Sequence, residues 1–304
     1  MNRIIKNIGD IPYDPVRRPE DWCEIQPCWE IDGLIISQPL SSFIVYLTAL
    51  ITINVGVHFV KQLWEHNRGR KTKNKTKQAN QIGRKLSLKR RFSGIRKGDK
   101  AILYMGISFL LVGIGAALAG TSYQAFGYEI KCRNRNVCMW TSWWEIAYMV
   151  FTVLGVGTLL VGVAHSIMGE RFQKISKIYF YATSMVYLVL IIIGSILPVK
   201  FLISFEMMLI FVSPIYLGII FISIKSYLTQ KNEISKKLMI AALLLFIAIG
   251  GYYVYYLLGI TEYLWERDIW FSANDVLHIL MIVWVIYIDK SVRPFIKEKQ
   301  SNNN

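Results

Sequence analysis

The segment LMIAALLLFIAIGGYYVYYLL, residues 238–258, carries no charge and shows no polar face on any helical projection. At helical rise such a run covers about 30 Å, the thickness of a bilayer's hydrocarbon core. Six further apolar runs reach or approach this length, at 36–60, 101–122, 143–167, 178–198, 201–224 and 271–289. Barrel strands would be about half as long and would alternate in polarity. Backbone N–H and C=O groups in lipid must bond within their own segment, so the runs predict helices. A water-soluble helical domain is excluded, because each of its helices would keep a polar stripe. The chain is 54% hydrophobic, in keeping with this. The expected fold is all-α, an integral membrane bundle of seven transmembrane helices.

The runs divide the chain. Residues 1–35 form a polar N-terminal segment with Cys23 and Cys28, and residues 36–289 form the membrane domain. A basic loop at 61–100 interrupts that domain, and 290–304 is a tail. No short apolar stretch precedes Ile36, so the first helix is expected to act as its own insertion signal.

Lysine and arginine placement sets the orientation, since cytoplasmic loops carry an excess of both. With the 61–100 loop inside, the segments on that side hold 26 of the 35 basic residues. The opposite side holds most of the connecting-segment acids, among them Asp10, Asp14, Glu20, Asp21, Glu24, Glu262, Glu266 and Asp268. The N-terminus is therefore expected outside and the C-terminus in the cytoplasm. All four cysteines, Cys23, Cys28, Cys132 and Cys138, fall on the assigned outer side. An even set on the oxidising face suits disulfides, with three pairings open. A zinc site is the rival, but CEIQPC and CRNRNVC lack CxxC spacing.

Residues 61–100 hold 15 basic and two acidic side chains, so nearly all of the net charge of +15 belongs to one loop. KTKNKTKQANQIGRK is too poor in apolar residues to fold alone. The loop is either a topology determinant resting on the inner leaflet or a contact for anionic lipids. No nucleic-acid partner is expected. LSLKRRFSGIRKGDK can form a short interfacial helix before the second span. Asn74-Lys75-Thr76 matches a glycosylation acceptor but lies on the cytoplasmic side.

Seven of nine tryptophans (Trp22, Trp29, Trp140, Trp143, Trp144, Trp265, Trp270) lie in or beside the outer segments, as an interfacial belt or an aromatic vestibule. Small residues at four-residue spacing in the second run, such as Gly113 with Ala117, allow close helix contact. Gly155, Gly157 and Gly162 repeat the theme in the third run.

Ionisable residues within the runs are few, and each should face the bundle interior, water or a partner. Glu145 opens the third run and Gln124 closes the second. Glu206 lies roughly 8 Å into the fifth, and Asp275 and His278 roughly 6 and 10 Å into the seventh, all from the outer side. One depth thus collects Gln124, Glu145, Glu206, Ser272, Asn274, Asp275 and His278 as a candidate polar site. Ser272 or Asn274 can equally cap the last helix, and Asp275 with His278 can equally fix helix packing. His58 and His165 close the first and third runs on the inner side, with Asn54 one turn before His58.

Two motifs carry a resemblance. GTSYQAF (120–126) and NDVLH (274–278) stand where the alkaline-ceramidase-like seven-helix transmembrane hydrolases carry Ser-xxx-His-Ala and His-xxx-His. The chain resembles that superfamily in topology and motif placement. The resemblance implies a zinc-dependent lipid amide or ester hydrolase, with His278 as a retained ligand. Gln124 and Asn274 stand in place of histidines, and Gly120 in place of the serine. Amides are poor zinc ligands, so a metal would need His278 with Asp275, Glu145 or Glu206. The WFSxNDVLH segment is also similar to that of seven-helix membrane proteins to which no activity attaches.

Three functions remain open: a ligand- or lipid-binding scaffold with a polar pocket, a metal-dependent hydrolase, and proton- or cation-coupled transport. The incomplete ligand set counts against hydrolysis. The absence of an inverted repeat counts against transport. The binding or scaffold class is the expected function.

Overall fold

The computed structural model describes residues 18–79 and 97–296. A two-stranded antiparallel hairpin comes first, β1 (Cys28–Ile31) and β2 (Leu34–Ser37). Asp32 and Gly33 between them both take positive φ (51° and 77°), as the tight Asp-Gly hairpin turn requires. Seven long helices follow: α1 (Pro39–Ala79), α2 (Lys97–Ala119), α4 (Trp143–Ile167), α5 (Glu170–Ile196), α6 (Phe205–Gln230), α7 (Glu233–Leu257) and α9 (Ala273–Tyr287). Short helices α3 (Gly127–Lys131) and α8 (Ile260–Trp265) lie in two of the connections. Two π turns extend long helices, Gly120–Ala125 after α2 and Ile288–Val292 after α9.

Six of these helices are long and apolar enough to cross a membrane: Pro39–Glu65, Asp99–Ala125, and α4 to α7. The chain is thus an integral, multi-pass membrane protein. The last helix, 15 residues before its π turn, is shorter than the other six.

Boundaries moved for physical reasons. Ile36 and Ser37 belong to β2, and the first helix opens at Pro39, whose missing N–H costs nothing at a helix start. At the basic end α2, α5 and α7 start before their apolar runs, at Lys97, Glu170 and Glu233, and α6 continues past its run to Gln230. Ser142, Ser204, Asn232 and Ser272 accept first-turn N–H groups from Glu145, Met207, Ser235 and Asp275. Helix α1 continues to Ala79, well into the stretch expected to be loop. Lysine, glutamine and arginine are good helix formers, and extending an existing helix needs no new nucleus. The Asn74 side chain lies outside the described residues. So does most of the expected interfacial helix at 86–100, of which Lys97–Lys100 are already part of α2.

Helix α4 is the centre of the bundle. In its most apolar stretch 67% of residues are buried, against 28–33% for α5, α6 and α7. Its small residues explain the tight packing on α2: a Cβ at Gly155 would lie 2.7 Å from the Val112 side chain and 3.2 Å from its backbone nitrogen. Gly113 on α2 likewise admits α1, since a Cβ there would lie 2.9 Å from the Ile53 nitrogen.

Both disulfides form at one end, Cys23 with Cys28 and Cys132 with Cys138. The hairpin docks there on the corner between α2 and α3. Trp22 Nε1 donates to Ser37 Oγ (2.8 Å), and Ile35 N donates to Glu129 Oε1 (3.0 Å). Trp29 packs edge-on against Trp270 at 5.9 Å, which brings the connection before α9 to this same end. At the opposite, basic end, Gln230 Nε2 donates to the Ile167 carbonyl (2.9 Å) and ties the close of α6 to that of α4.

Candidate functional site

Helix α9 starts with a capping box in which Ser272 and Asp275 satisfy each other's backbone N–H groups. Asp275 Oδ2 accepts from Ser272 N (2.6 Å) and from Ser272 Oγ (2.9 Å). Ser272 Oγ has then spent its only proton, so Ser41 of α1 is the donor in their 3.2 Å contact. Thr261 of α8 caps the same turn by accepting from Ala273 N.

Asp275 is 0% exposed, and its Oδ1 has no hydrogen-bond partner among the described residues. No cationic side chain pairs with it among those residues either. Three residues on, His278 donates Nδ1–H to the Asn274 carbonyl (2.7 Å), which leaves Nε2 as the acceptor in the neutral ring. Tyr255 of α7 lies within electrostatic reach of Asp275, its ring edge-on to Phe271.

Glu145 belongs to a second cluster. It is 1% exposed, pairs with the buried Lys131 ammonium, and accepts from Thr141 Oγ1 (2.9 Å). Lys131 ends α3, immediately before the loop closed by Cys132–Cys138, and its ammonium sits 5.1 Å from the Tyr123 ring. Glu206 is exposed in the first turn of α6, a favoured place for an anion, and falls within electrostatic reach of Tyr123.

Gln124 is buried in the π turn after α2, and its Oε1 has no partner among the described residues. It folds back over Gly120, where a Cβ would lie 2.9 Å from Val45 of α1 and 3.8 Å from Oε1. Ser122 in the same turn is also buried, and its hydroxyl has no partner among the described residues.

Among the described residues, the expected site residues divide between two neighbourhoods. One joins Ser272, Asn274, Asp275 and His278 with Ser41; the other gathers Glu145 and Glu206 around Tyr123 and Lys131. Further tyrosines neighbour Tyr123 in the second. Tyr123 meets Tyr148 edge-on at 6.0 Å, and Tyr148 is within electrostatic reach of Tyr187, Tyr216 and Tyr252.

The metal set His278, Asp275, Glu145 and Glu206 is not assembled. Among the described residues no three His, Cys, Asp or Glu side chains could hold one ion together. The reason lies in the pairing: Lys131 takes Glu145, the Ser272 cap takes one oxygen of Asp275, and Glu206 faces outward. Gln124 and Asn274 contribute amides, so the donors do not fit a zinc centre of the hydrolase type.

Three functional groups escaped the sequence reading. Lys131 was counted only as a loop charge, although a lysine held beside a disulfide near an acidic helix start is placed to pair with it. Asp289 was passed over at the end of the last run. It is 4% exposed and accepts at Oδ1 from Arg293 Nε (2.8 Å) and His58 Nδ1 (3.1 Å). His58 is thus held by α9's π turn rather than by Asn54, which is exposed. His165 instead donates Nδ1–H to the Val161 carbonyl (2.9 Å) and lies beside Tyr104. The interior tyrosines carry no sequence signal that separates them from other aromatic residues of the apolar runs.

Residues 85–297 match the family of unknown function DUF6962. The chain belongs to this family. The DUF6962 region covers α2 to α9 and so includes Gln124, Glu145, Glu206, Asp275, His278 and Asp289. The hairpin, Ser41 and His58 lie before it. No curated protein matches the chain.

Proposed function

We propose that this DUF6962 protein is a ligand-binding membrane protein, with α9 as a seventh span and the disulfide end outside. The lysine and arginine asymmetry and the position of the cysteines support that orientation. The ligand site is the α9 entrance, and the group it takes is a hydrogen-bond donor of cationic character, a primary ammonium on a lipid headgroup or small amine.

The buried Asp275 carboxylate carries this reading. A carboxylate removed from water without a cation costs several kcal/mol, about the worth of a strong ion pair, so such a group calls for a partner. Gln124 Oε1 is a second buried acceptor without a donor among the described residues. Tyr255 and Phe271 beside Asp275 add aromatic surface suited to a cation. Hydrolysis would need a metal-ligand set that the described residues do not assemble.

The test uses detergent-purified full-length protein and two zwitterionic lipids of equal net charge. Phosphatidylethanolamine offers N–H donors and phosphatidylcholine offers none. Phosphatidylethanolamine should raise the thermal midpoint of the wild type more than phosphatidylcholine does, and Asp275→Asn should abolish the difference. Free ethanolamine, tested alongside, separates a lipid from a soluble amine. Equal responses of wild type and Asp275→Asn to all three compounds would overturn the proposal.

A further inference from the structure

The basic end holds a cleft of about 290 Å³ between α2, α4 and α5, lined by Lys100, His165, Glu170, Gln173, Lys174 and Lys177. Three lysines meet one carboxylate, so the lining is net positive. Among the described residues no carboxylate forms an ion pair with Lys100, Lys174 or Lys177. Lys100 and Lys177 come from different helices and lie within electrostatic reach of each other. Two ammonium groups held in proximity repel unless an anion sits between them.

The walls hold the lysines in place. Lys177 Nζ lies 5.6 Å from the Tyr104 ring, which also packs against His165 at 5.5 Å. Gln173 is buried and donates Nε2–H to the Met168 carbonyl (2.7 Å), closing the turn between α4 and α5. Helix α5 starts at Gly169 with no side-chain cap, so its first-turn N–H groups face this end unclaimed by a side chain.

Beside the cleft, α5 presents apolar side chains outward for its whole length, including Phe172, Ile175, Ile178, Met185 and Ile192, all at least 46% exposed. A charged cleft that adjoins a lipid-facing stripe matches the two halves of a phospholipid.

We infer that the cleft between α2, α4 and α5 binds the phosphate of an anionic phospholipid through Lys100, Lys174 and Lys177, with the acyl chains along α5. Glu170 selects against a bare phosphate and favours a headgroup whose hydroxyl it can accept. This site lies at the opposite end from the Asp275 site and takes the opposite charge.

Lipid binding is measured on full-length protein in mixed micelles, titrating phosphatidic acid or phosphatidylinositol against a phosphatidylcholine background. Lys100→Gln with Lys177→Gln should weaken binding by about tenfold or more, at roughly 1 kcal/mol for each charge removed. Lys231→Gln with Lys236→Gln removes equal charge from exposed positions at the same end but outside the cleft, and should change binding less than about twofold. Glu170→Gln should tighten binding of phosphatidic acid, a gain that a folding defect cannot produce. Equal losses in the two lysine pairs would reduce the effect to general surface charge and overturn the site. Glycerol phosphate binding as tightly as the lipid would overturn the lipid assignment.

Discussion

Helix α9 and the π turn that extends it carry a buried aspartate at each end, and the two are kept differently. Asp289 at the basic end receives Arg293 and His58 on one oxygen and has Lys290 4.0 Å from the other. Asp275 at the disulfide end receives only the Ser272 cap, and its second oxygen is bare among the described residues. Arg293 lies four residues after Asp289 and reaches it along the same helix face. Around Asp275 the neighbours are a serine, an asparagine, a histidine bonded to its own helix and a tyrosine. Burial alone therefore does not mark a site. What separates the structural carboxylate from the candidate one is whether the fold supplies the cation.

Glu145 sharpens the contrast, because it shares the disulfide end with Asp275 yet has Lys131. Replacing Lys131 with methionine should strand that carboxylate and cost about 3 kcal/mol of stability, the usual penalty for halving a buried pair. Thermal unfolding in detergent measures this, and Lys131→Met with Glu145→Leu together should recover most of the loss. A single variant as stable as wild type would mean that the pair contributes little.

A smaller effect is expected at Asp289, whose partners are partly exposed: side-chain exposure is 38% for His58 and 27% for Arg293. Asp289→Ala should lower stability by about 2 kcal/mol through two lost charge-assisted hydrogen bonds. The same measurement on His58→Ala should show part of that loss.

The smallest change is expected at Asp275. Asparagine keeps an oxygen for the capping box and removes the unpaired charge, so ligand-free Asp275→Asn should stay within about 1 kcal/mol of wild type. A loss as large as that of Asp289→Ala would place Asp275 among the structural carboxylates and erase the contrast between the two ends.

Much of the architecture was legible from residues alone. Hydrophobic runs long enough to cross a bilayer need no partner to be recognised, since lipid dictates both their length and their helical form. The four cysteines marked the disulfide end because all lie in segments assigned to one side, while their pairing, Cys23 with Cys28 and Cys132 with Cys138, came from the structure. Even the hairpin has a local signal in Asp32-Gly33, a strong turn dipeptide. The helical extension of α1 to Ala79 was hidden, since composition reports solubility rather than continuity with a preceding helix.

Depth along an apolar run is one coordinate of three. It placed Glu145, Glu206, Asp275 and His278 at one level without saying which faces met. Sequence by itself determined a multi-pass helical membrane protein with one cysteine-bearing and one lysine-rich end, because segment length, polarity and charge act locally. Only the tertiary structure decided that Lys131 pairs with Glu145, that Arg293 pairs with Asp289 and His58 bonds to it, and that Asp275 keeps a bare oxygen among the described residues. Pairing depends on helix rotation and approach, and glycines such as Gly113 and Gly155 set these through contacts far apart in the chain.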